Sequence, residues 1–437
     1  MTAHHLDPLL ARRGVLRGVL ATAGIGLATG PLAHLAHAQE AGAWPAVTAL
    51  IDEYVGSQRV ANMVAALGVG QAAPEYIARG TLAFDSAAGV GPDTLYRIYS
   101  MTKPVTGMAA MILIDEGKLG LDQPLAEILP AFAEMQVQRA YDGPITADNL
   151  EPAARQITIR HLLTHTAGLG YTIVQQGPIM EAYRRNGLNP VAVSRLPTLP
   201  GLTGPRATSL ADFAARLAPM PLVRQPGTRW SYSVGLDLLG YVIELIAGMP
   251  FDSFLQQRIF EPCGMASTFF TVPAAERARF TTNYFDLLGV PLPIDAGANS
   301  IFLQPPAFPF GGAGLVSSAR DYDRFLQMLA GFGEIEGRRV MSEAAVRLGT
   351  SDLMPDTLAA GGGFREGFGF GAGGLVGKGE AEGLFGWFGA ASTAGLVNMR
   401  AGLRQTLMTQ LVSTQVEDLQ ERFPRAVAQD AAATALG

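Results

Sequence analysis

The sequence predicts an α/β fold: an antiparallel sheet formed from N- and C-terminal strands, flanked by helices, with a largely helical inserted subdomain. Three observations predict it. Val60–Val69 and Tyr76–Phe84 are two strand-like runs with a short turn between them. Phe364–Met408 carries short apolar runs separated by glycines, the pattern of an antiparallel meander. Between these groups lie segments with helical spacing. The two strand groups can share one sheet if the middle of the chain, from about residue 112 to 228, is an insertion, and helices then cover that sheet.

Along the chain, the first 38 residues read as a twin-arginine-type signal peptide. Arg12-Arg13-Gly14-Val15-Leu16-Arg17 is followed by a charge-free, Ala/Gly-rich stretch from Gly18 to Ala36 and then by Ala36-His37-Ala38, an A-x-A cleavage site. Small residues make this stretch too weakly apolar for a permanent anchor, and it contains no cysteine for lipid attachment. The expectation is a mature domain over residues 39–437, periplasmic or secreted, with no stable membrane insertion after leader cleavage.

Trp44–Gln58 has helical spacing, with Leu50, Ile51 and Tyr54 apolar, and the two strands follow. Thr94–Tyr99 is extended and leads into Ser100. Met101–Glu116 is a strong helix, with Met108, Met111, Ile112 and Ile114 on its apolar face and Gly117 as its stop. Asp122–Arg229 reads as helices with long polar and Pro-rich connections, and Arg195–Pro205 is a loop by composition. Ser231–Ala247 is an apolar helix, Gly311–Val316 a glycine-rich strand start, Ala319–Ala330 a helix and Val416–Ala433 a closing helix.

Composition removes several function classes. The chain is 48% hydrophobic and 16% charged, which fits a sizeable core. Its formal net charge of −6 leaves no basic excess for binding nucleic acid. Cys263 is the single cysteine, so no intrachain disulfide and no zinc site with two thiolates can form; it reads as a small buried apolar residue. Lysine occurs only at Lys103, Lys118 and Lys378.

That scarcity draws attention to Ser100-Met101-Thr102-Lys103. Positions i and i+3 share one helix face, so the hydroxyl and the amine meet. A serine is a weak nucleophile until a neighbouring base takes its proton, and a lysine can do so only when unprotonated, a state favoured by burial near positive charge. The helix start also offers free N–H groups to a developing oxyanion. Most S-x-x-K matches are nonetheless surface helix; here the helix that follows is apolar. Tyr232-Ser233-Val234 could bring a second acid or base, although a tyrosine at the start of a buried helix usually only packs. Trp387-Phe388-Gly389 reads as an edge strand whose glycine admits a substrate, against the plainer reading of a core tryptophan.

YRIYSMTKPVTG at 96–107, ITIRHLLTHTAGL at 157–169, PGTRWSYS at 226–233 and GGAGLVSSARDYDRFLQMLA at 311–330 resemble, in the same order, the β-lactamase-like serine hydrolase superfamily. That superfamily includes class C β-lactamases, DD-peptidases and family VIII carboxylesterases. The resemblance covers most of residues 45–412 and implies a β-lactamase/transpeptidase-like fold. It implies Ser100 as nucleophile, Lys103 and Tyr232 as general base and acid, and the backbone N–H groups of Ser100 and Ala390 as oxyanion hole. It places Trp387, Phe388, Gly389 and Val234 against substrate. Two departures set the expected chemistry. Val234 stands where the lactamase and peptidase pattern has Asn, and Trp387-Phe388-Gly389 replaces Lys-Thr-Gly. Both remove groups that would bind a penicillin, and the strand motif is closest to family VIII carboxylesterases. The expected activity is hydrolysis of a small-molecule carboxylic ester through an acyl-enzyme, with no metal or cofactor. The alternatives are an amide-directed enzyme (β-lactamase, D-aminopeptidase or DD-peptidase) and an inactive member that binds ligand or scaffolds. Arg365 or Lys378, reaching in from residues 361–380, could restore the missing charge.

Other patterns carry no functional reading. His161 and His165, the only histidines after the leader, have metal-like i, i+4 spacing but no Glu after His161, and they read as a structural pair rather than as ligands or a Ser-His-Asp base. Gly369-Phe370-Gly371-Ala372-Gly373-Gly374 matches G-x-G-x-x-G with no helix after it, and Gly377-Lys378-Gly379 lacks P-loop spacing. Export is expected to require Arg12 and Arg13 and to leave Gln39 as the mature N-terminus. N-terminal sequencing of the exported protein, and its loss when both arginines are replaced by lysine, check this.

Overall fold

The computed structural model describes residues 44–189, 206–359, 361–413 and 417–436. The leader at 1–38 and the loop at Arg195–Pro205 lie outside the described residues. Helix α1 (Pro45–Gly56) opens with a proline, whose missing N–H is one that no helix start could pair internally. It buries Val47, Leu50, Ile51 and Tyr54, one face at helical spacing. Strands β1 (Asn62–Val69) and β2 (Glu75–Gly80) form a hairpin with Leu67 opposite Glu75. Strand β3 (Leu95–Arg97) leads through a 3-10 turn, Tyr99–Met101, into helix α2 (Thr102–Asp115).

The inserted region is less helical than its sequence suggests. It holds a small hairpin of β4 (Gln136–Gln138) and β5 (Leu150–Pro152) and the short helices α3 (Ile159–Leu163), α4 (Gly177–Arg185) and α5 (Leu210–Leu217). Pro124, Pro130, Pro144 and Pro152 account for the difference, because a proline inside a helix removes a donor and clashes with the preceding turn. Helix α6 (Gly235–Ala247) starts four residues later than expected. The preceding backbone is committed elsewhere: Ser231 N–H donates to His165 O at 2.8 Å, and Val234 N–H to Gly170 O at 3.3 Å.

Strands β6 (Asn283–Leu287) and β7 (Val290–Asp295) form a hairpin that no sequence signal announced. Its two-residue turn puts Leu288 at φ 55° and Gly289 at φ 86°, where Asn-Gly would be the usual signal, and Pro291 and Pro293 disguise the second strand. The glycine run at 311–314 is a turn, and strand β8 is only Val316–Ser318, paired antiparallel with β3. Helix α7 (Ala319–Ala330) has the predicted bounds.

The C-terminal meander comprises β9 (Phe368–Phe370), β10 (Leu375–Gly377), β11 (Leu384–Phe388), β12 (Ala394–Asn398) and β13 (Leu403–Met408), and helix α8 (Glu417–Leu436) closes the chain. Among the described residues the main sheet has seven strands in the order β9-β10-β11-β12-β13-β1-β2. The two ends of the chain meet where β1 pairs antiparallel with β13, Val64 opposite Met408. Asp430 of α8 strengthens the closure by accepting the N–H groups of Ala46 and Val47 at 2.9 and 3.0 Å, two donors at the start of α1 that have no intrahelical partner. Strand β11 is interior, not an edge strand. However, β10 pairs only with Phe385 and Gly386, so Trp387 and Phe388 outrun it and leave that side of the strand end open. No single helix among the described residues is long and apolar enough to cross a membrane.

Helix α2 lies in the core, buried from Thr102 to Leu113. Glycines allow it to approach the turn between β9 and β10: a Cβ on Gly107 would lie 2.1 Å from Ala372 O, and one on Gly373 would lie 2.3 Å from Lys103 O. The G-x-G-x-x-G stretch is thus a hairpin turn that packs against this helix. A buried ion pair holds the strand before it. Arg97 donates through Nε to Asp295 at 2.7 Å, through Nη1 to Thr281 O and Gln410 Oε1, and through Nη2 to Asp295 O. Asp295→Ala leaves that guanidinium buried without its counter-charge and is expected to cost about 3–5 kcal/mol, read as a lower midpoint in urea unfolding.

Candidate active site

The turn that carries Ser100 begins with strain. Tyr99, at φ 43°, occupies a left-handed conformation that costs a bulky residue energy and is held by its surroundings. One restraint is visible: Asn283 Nδ2 donates to the buried Tyr99 hydroxyl at 2.9 Å. The chain then tightens into the 3-10 turn that carries Ser100 to the start of α2. Tyr232 reaches the same point from the non-helical segment before α6, and its hydroxyl donates to Ser100 Oγ at 2.8 Å. Lys103, one turn along α2, lies with Nζ 3.2 Å from Ser100 Oγ. The structure therefore brings Ser100, Lys103 and Tyr232 into mutual contact.

Lys103 is completely buried, yet its amine is well supplied. It donates to Gly312 O at 2.6 Å and sits 4.5 Å from the centroid of the Tyr232 ring, within cation–π range. Trp387 Nε1 donates to the Tyr232 oxygen at 3.3 Å. The strand tryptophan thus holds the same Tyr232 hydroxyl that reaches Ser100, a contact the sequence did not suggest.

Gly389 follows β11 beside the Ser100 turn, where a Cβ would lie 2.5 Å from Ile98 O and 2.1 Å from Thr393 Oγ1. Only glycine lets the strand end dock there without displacing backbone. A tight turn follows, with Gly389 N–H donating to Thr393 O and Ser392 N–H to Gly389 O. The partly exposed Ala390 lies within it, and among the described residues neither the Ala390 nor the Ser100 N–H donates a hydrogen bond. Trp387 and Phe388 are buried in an aromatic cluster with Phe370, 5.1 Å from Trp387. Trp230 and Phe364 extend it at a ring separation of 4.7 Å. Val234 is fully buried in the main core, so its side chain presents no surface to a ligand.

Both histidines have structural partners. His161 completes a capping box: its Nδ1 accepts Thr158 N–H at 3.1 Å, and Thr158 Oγ1 accepts His161 N–H. Burial, aided by Arg155, lowers its pKa to about 4. His165 Nδ1 accepts Ser233 N–H at 3.2 Å and lies 3.0 Å from Ser233 Oγ, which places the proton of the neutral ring on Nε2. Burial and the charge of Lys103 hold this imidazole well below its ordinary pKa. Its ring packs 4.6 Å from that of Tyr232, and no hydrogen bond joins it to Ser100 among the described residues. His165 therefore braces the Tyr232-Ser233 segment and does not form a triad with Ser100.

Sequence reading missed Asp237. This carboxylate is fully buried on α6, and its Oδ1 accepts Gly312 N–H at 2.9 Å. Burial pushes its pKa up to about 6, against the downward pull of Lys103. An acid in the apolar run GLDLLGYVIELIA was the available signal. The two cations considered as replacement charges have other contacts: Lys378 Nζ pairs with Asp352 at 2.5 Å, and the Arg365 guanidinium lies 5.2 Å over the Phe368 ring.

A family model described as Beta-lactamase matches residues 47–429. Protein Rv1367c of Mycobacterium tuberculosis is 38% identical over 281 residues, which cover 62% of this chain and 63% of that protein. Esterase EstB of Burkholderia gladioli is 35% identical over 252 residues, covering 54% of this chain and 57% of EstB. The chain thus matches about six-tenths of the length of these curated relatives. Among solved structures, EstCE1, described as a hydrolase with promiscuous acyltransferase activity, superposes with a TM-score of 0.69 at 24% identity, over 90% of this chain and 99% of that one. At that identity the likeness shows the fold.

The His161 cap carries a pH signature. A histidine held neutral in the fold binds fewer protons than in the unfolded chain, so its contribution is full above about pH 6.5 and is lost as pH falls towards 4. The shift corresponds to about 3 kcal/mol. His161→Asn keeps an acceptor for Thr158 N–H but does not titrate. Urea unfolding between pH 7 and pH 4 is expected to show wild type losing about 3 kcal/mol more than the variant; equal losses would contradict this account.

Proposed function

The chain belongs to the β-lactamase family, and from that premise we propose that it is a serine hydrolase that cleaves carboxylic esters through an acyl-enzyme on Ser100. The observation that carries this reading is the position of Ser100 Oγ, within hydrogen-bond distance of both Lys103 Nζ and Tyr232 OH. A hydroxyl so placed can hand its proton to a neighbour as it attacks a carbonyl, and the same neighbours can return a proton to the leaving group.

In the proposed reaction Ser100 Oγ forms a bond to the ester carbon, and the carbonyl π pair moves onto oxygen. The Ser100 proton passes into the Lys103–Tyr232 pair. The amides of Ser100 and Ala390, which have no other acceptor among the described residues, would receive the oxyanion. Collapse breaks the bond to the alkoxide, which leaves as an alcohol with the proton. Water then attacks the acyl-enzyme by the same route in reverse. Trp387 positions Tyr232 throughout, and His165 keeps the segment before α6 in place.

The preference for esters over β-lactams rests on what surrounds the nucleophile. Trp387 and Phe388 offer no charge or hydroxyl to a lactam carboxylate. Val234 cannot hydrogen-bond through its buried side chain. Lys378 and Arg365 are engaged elsewhere. Each missing hydrogen bond to a charged group costs about 1.5–3 kcal/mol, or about one to two decades in rate. The esterase named among the relatives, EstB, supports the same reading. The leader read from residues 1–38 would place the activity outside the cytoplasmic membrane.

Ser100→Ala is expected to abolish turnover of a short-chain p-nitrophenyl ester while the protein stays folded, and a fluorophosphonate is expected to label Ser100, as mapped by peptide mass spectrometry. In the wild type, kcat/KM for that ester should exceed that for nitrocefin by orders of magnitude. Comparable values would put an amide-directed enzyme first. Absence of turnover on either substrate would favour a binding or scaffolding protein.

A further inference from the structure

The Gly312 backbone connects the proposed catalytic lysine to a carboxylate with no place in the reaction just described. Its carbonyl accepts Lys103 Nζ at 2.6 Å, and its N–H donates to Asp237 Oδ1 at 2.9 Å. Both side chains are completely buried. Asp237 Oδ2 is buried as well and has no hydrogen-bond partner among the described residues. A Cβ on Gly312 would fall 2.6 Å from that oxygen, so glycine is what lets the carboxylate lie against this turn.

A structural role explains one oxygen of Asp237 and leaves the charge unexplained. An asparagine would accept the Gly312 N–H equally well and would avoid the cost of burying an anion. The charged and titratable groups that interact with it are Lys103 on α2 and Tyr171 in the segment after α3, and Tyr232 packs on Tyr171 at a ring separation of 5.5 Å. Burial and the Asp237 charge raise the Tyr171 hydroxyl well above its usual range. His165, close enough to feel Lys103, is held neutral. Within this group Lys103 is the available positive charge.

We propose that Asp237 is the buried counter-charge of Lys103, a positioning residue that sets the pH at which the Ser100–Lys103–Tyr232 cluster gives up a proton. Its effect has one sign whichever group takes the serine proton. A nearby negative charge makes an ammonium harder to deprotonate, and it equally disfavours a phenolate. Removing it lets either group lose its proton at lower pH. Asp237 itself titrates near pH 6, so the counter-charge weakens as the medium acidifies.

The proposal rests on Ser100 as nucleophile, which Ser100→Ala tests by itself; a negative result with Asp237 leaves that reading intact. The experiment is the pH profile of kcat/KM for a p-nitrophenyl ester in wild type and Asp237→Asn, on the full mature chain. The acid limb is expected to move to lower pH by about one unit in the variant, with KM on the plateau within about twofold. A limb in the same place, whether or not overall activity falls, overturns the proposal and leaves Asp237 as a hydrogen-bond acceptor for Gly312. Should Asp237→Asn not fold, Asp237→Ser carries the same expectation. If neither neutral variant folds at any pH, the proposal is overturned in favour of a purely structural role.

Discussion

Burial of Lys103 is the constraint around which the site is organised. An amine with no solvent contact must find partners inside the protein, or the fold bears the full cost of stripping it of water. Its partners come from four places in the sequence: Ser100 in the 3-10 turn before its own helix, Gly312 between β7 and β8, the Tyr232 ring before α6, and Asp237 on α6 through the Gly312 peptide. Asp237 lies on the first turn of α6, whereas the other three come from irregular backbone: the 3-10 turn at Ser100, the turn at Gly312 and the segment before the late start of α6.

The sheet explains how such distant segments converge. Pairing of β1 with β13 joins the start of the described chain to its end, and the contact of Asp430 with the first N–H groups of α1 secures it. That closure fixes β11 in the sheet interior, with its last two residues extending past β10. An interior strand is held by neighbours along most of its length, so its free end is a rigid place to present Trp387 and the Ala390 amide. Gly389 completes the junction with the Ser100 turn, where no side chain fits. The turn is anchored on its other side by Arg97, paired with Asp295.

Much of this was legible in the sequence, for identifiable reasons. The meander at 364–408 announced itself through glycines, and α7 was read with the bounds the structure gives it, Ala319–Ala330. Ser100 and Lys103 were legible because i, i+3 spacing on a helix fixes their distance. What failed to show was whatever depended on tertiary contact. The β6–β7 hairpin was hidden by a leucine where asparagine would mark the turn. The start of α6 was misplaced because Ser231 and Val234 give their N–H groups to His165 and Gly170, which are distant in sequence. The bond from Trp387 to Tyr232 joins residues 155 positions apart, and no local pattern encodes it.

His165 shows why a histidine near a candidate serine nucleophile need not be its base. Its Nδ1 is occupied by the Ser233 N–H, which requires that nitrogen to be unprotonated, and burial next to Lys103 opposes a second positive charge. A protonated His165 would lose the Ser233 contact and release the segment that aims Tyr232. The fold therefore uses the imidazole as a neutral hydrogen-bond acceptor and aromatic spacer, and in the proposed reaction proton movement falls to Lys103 and Tyr232. The same logic applies to the carboxylate. With His165 neutral, the negative charge of Asp237 has one nearby cation to balance, and electrostatic control of the site falls on a single buried pair.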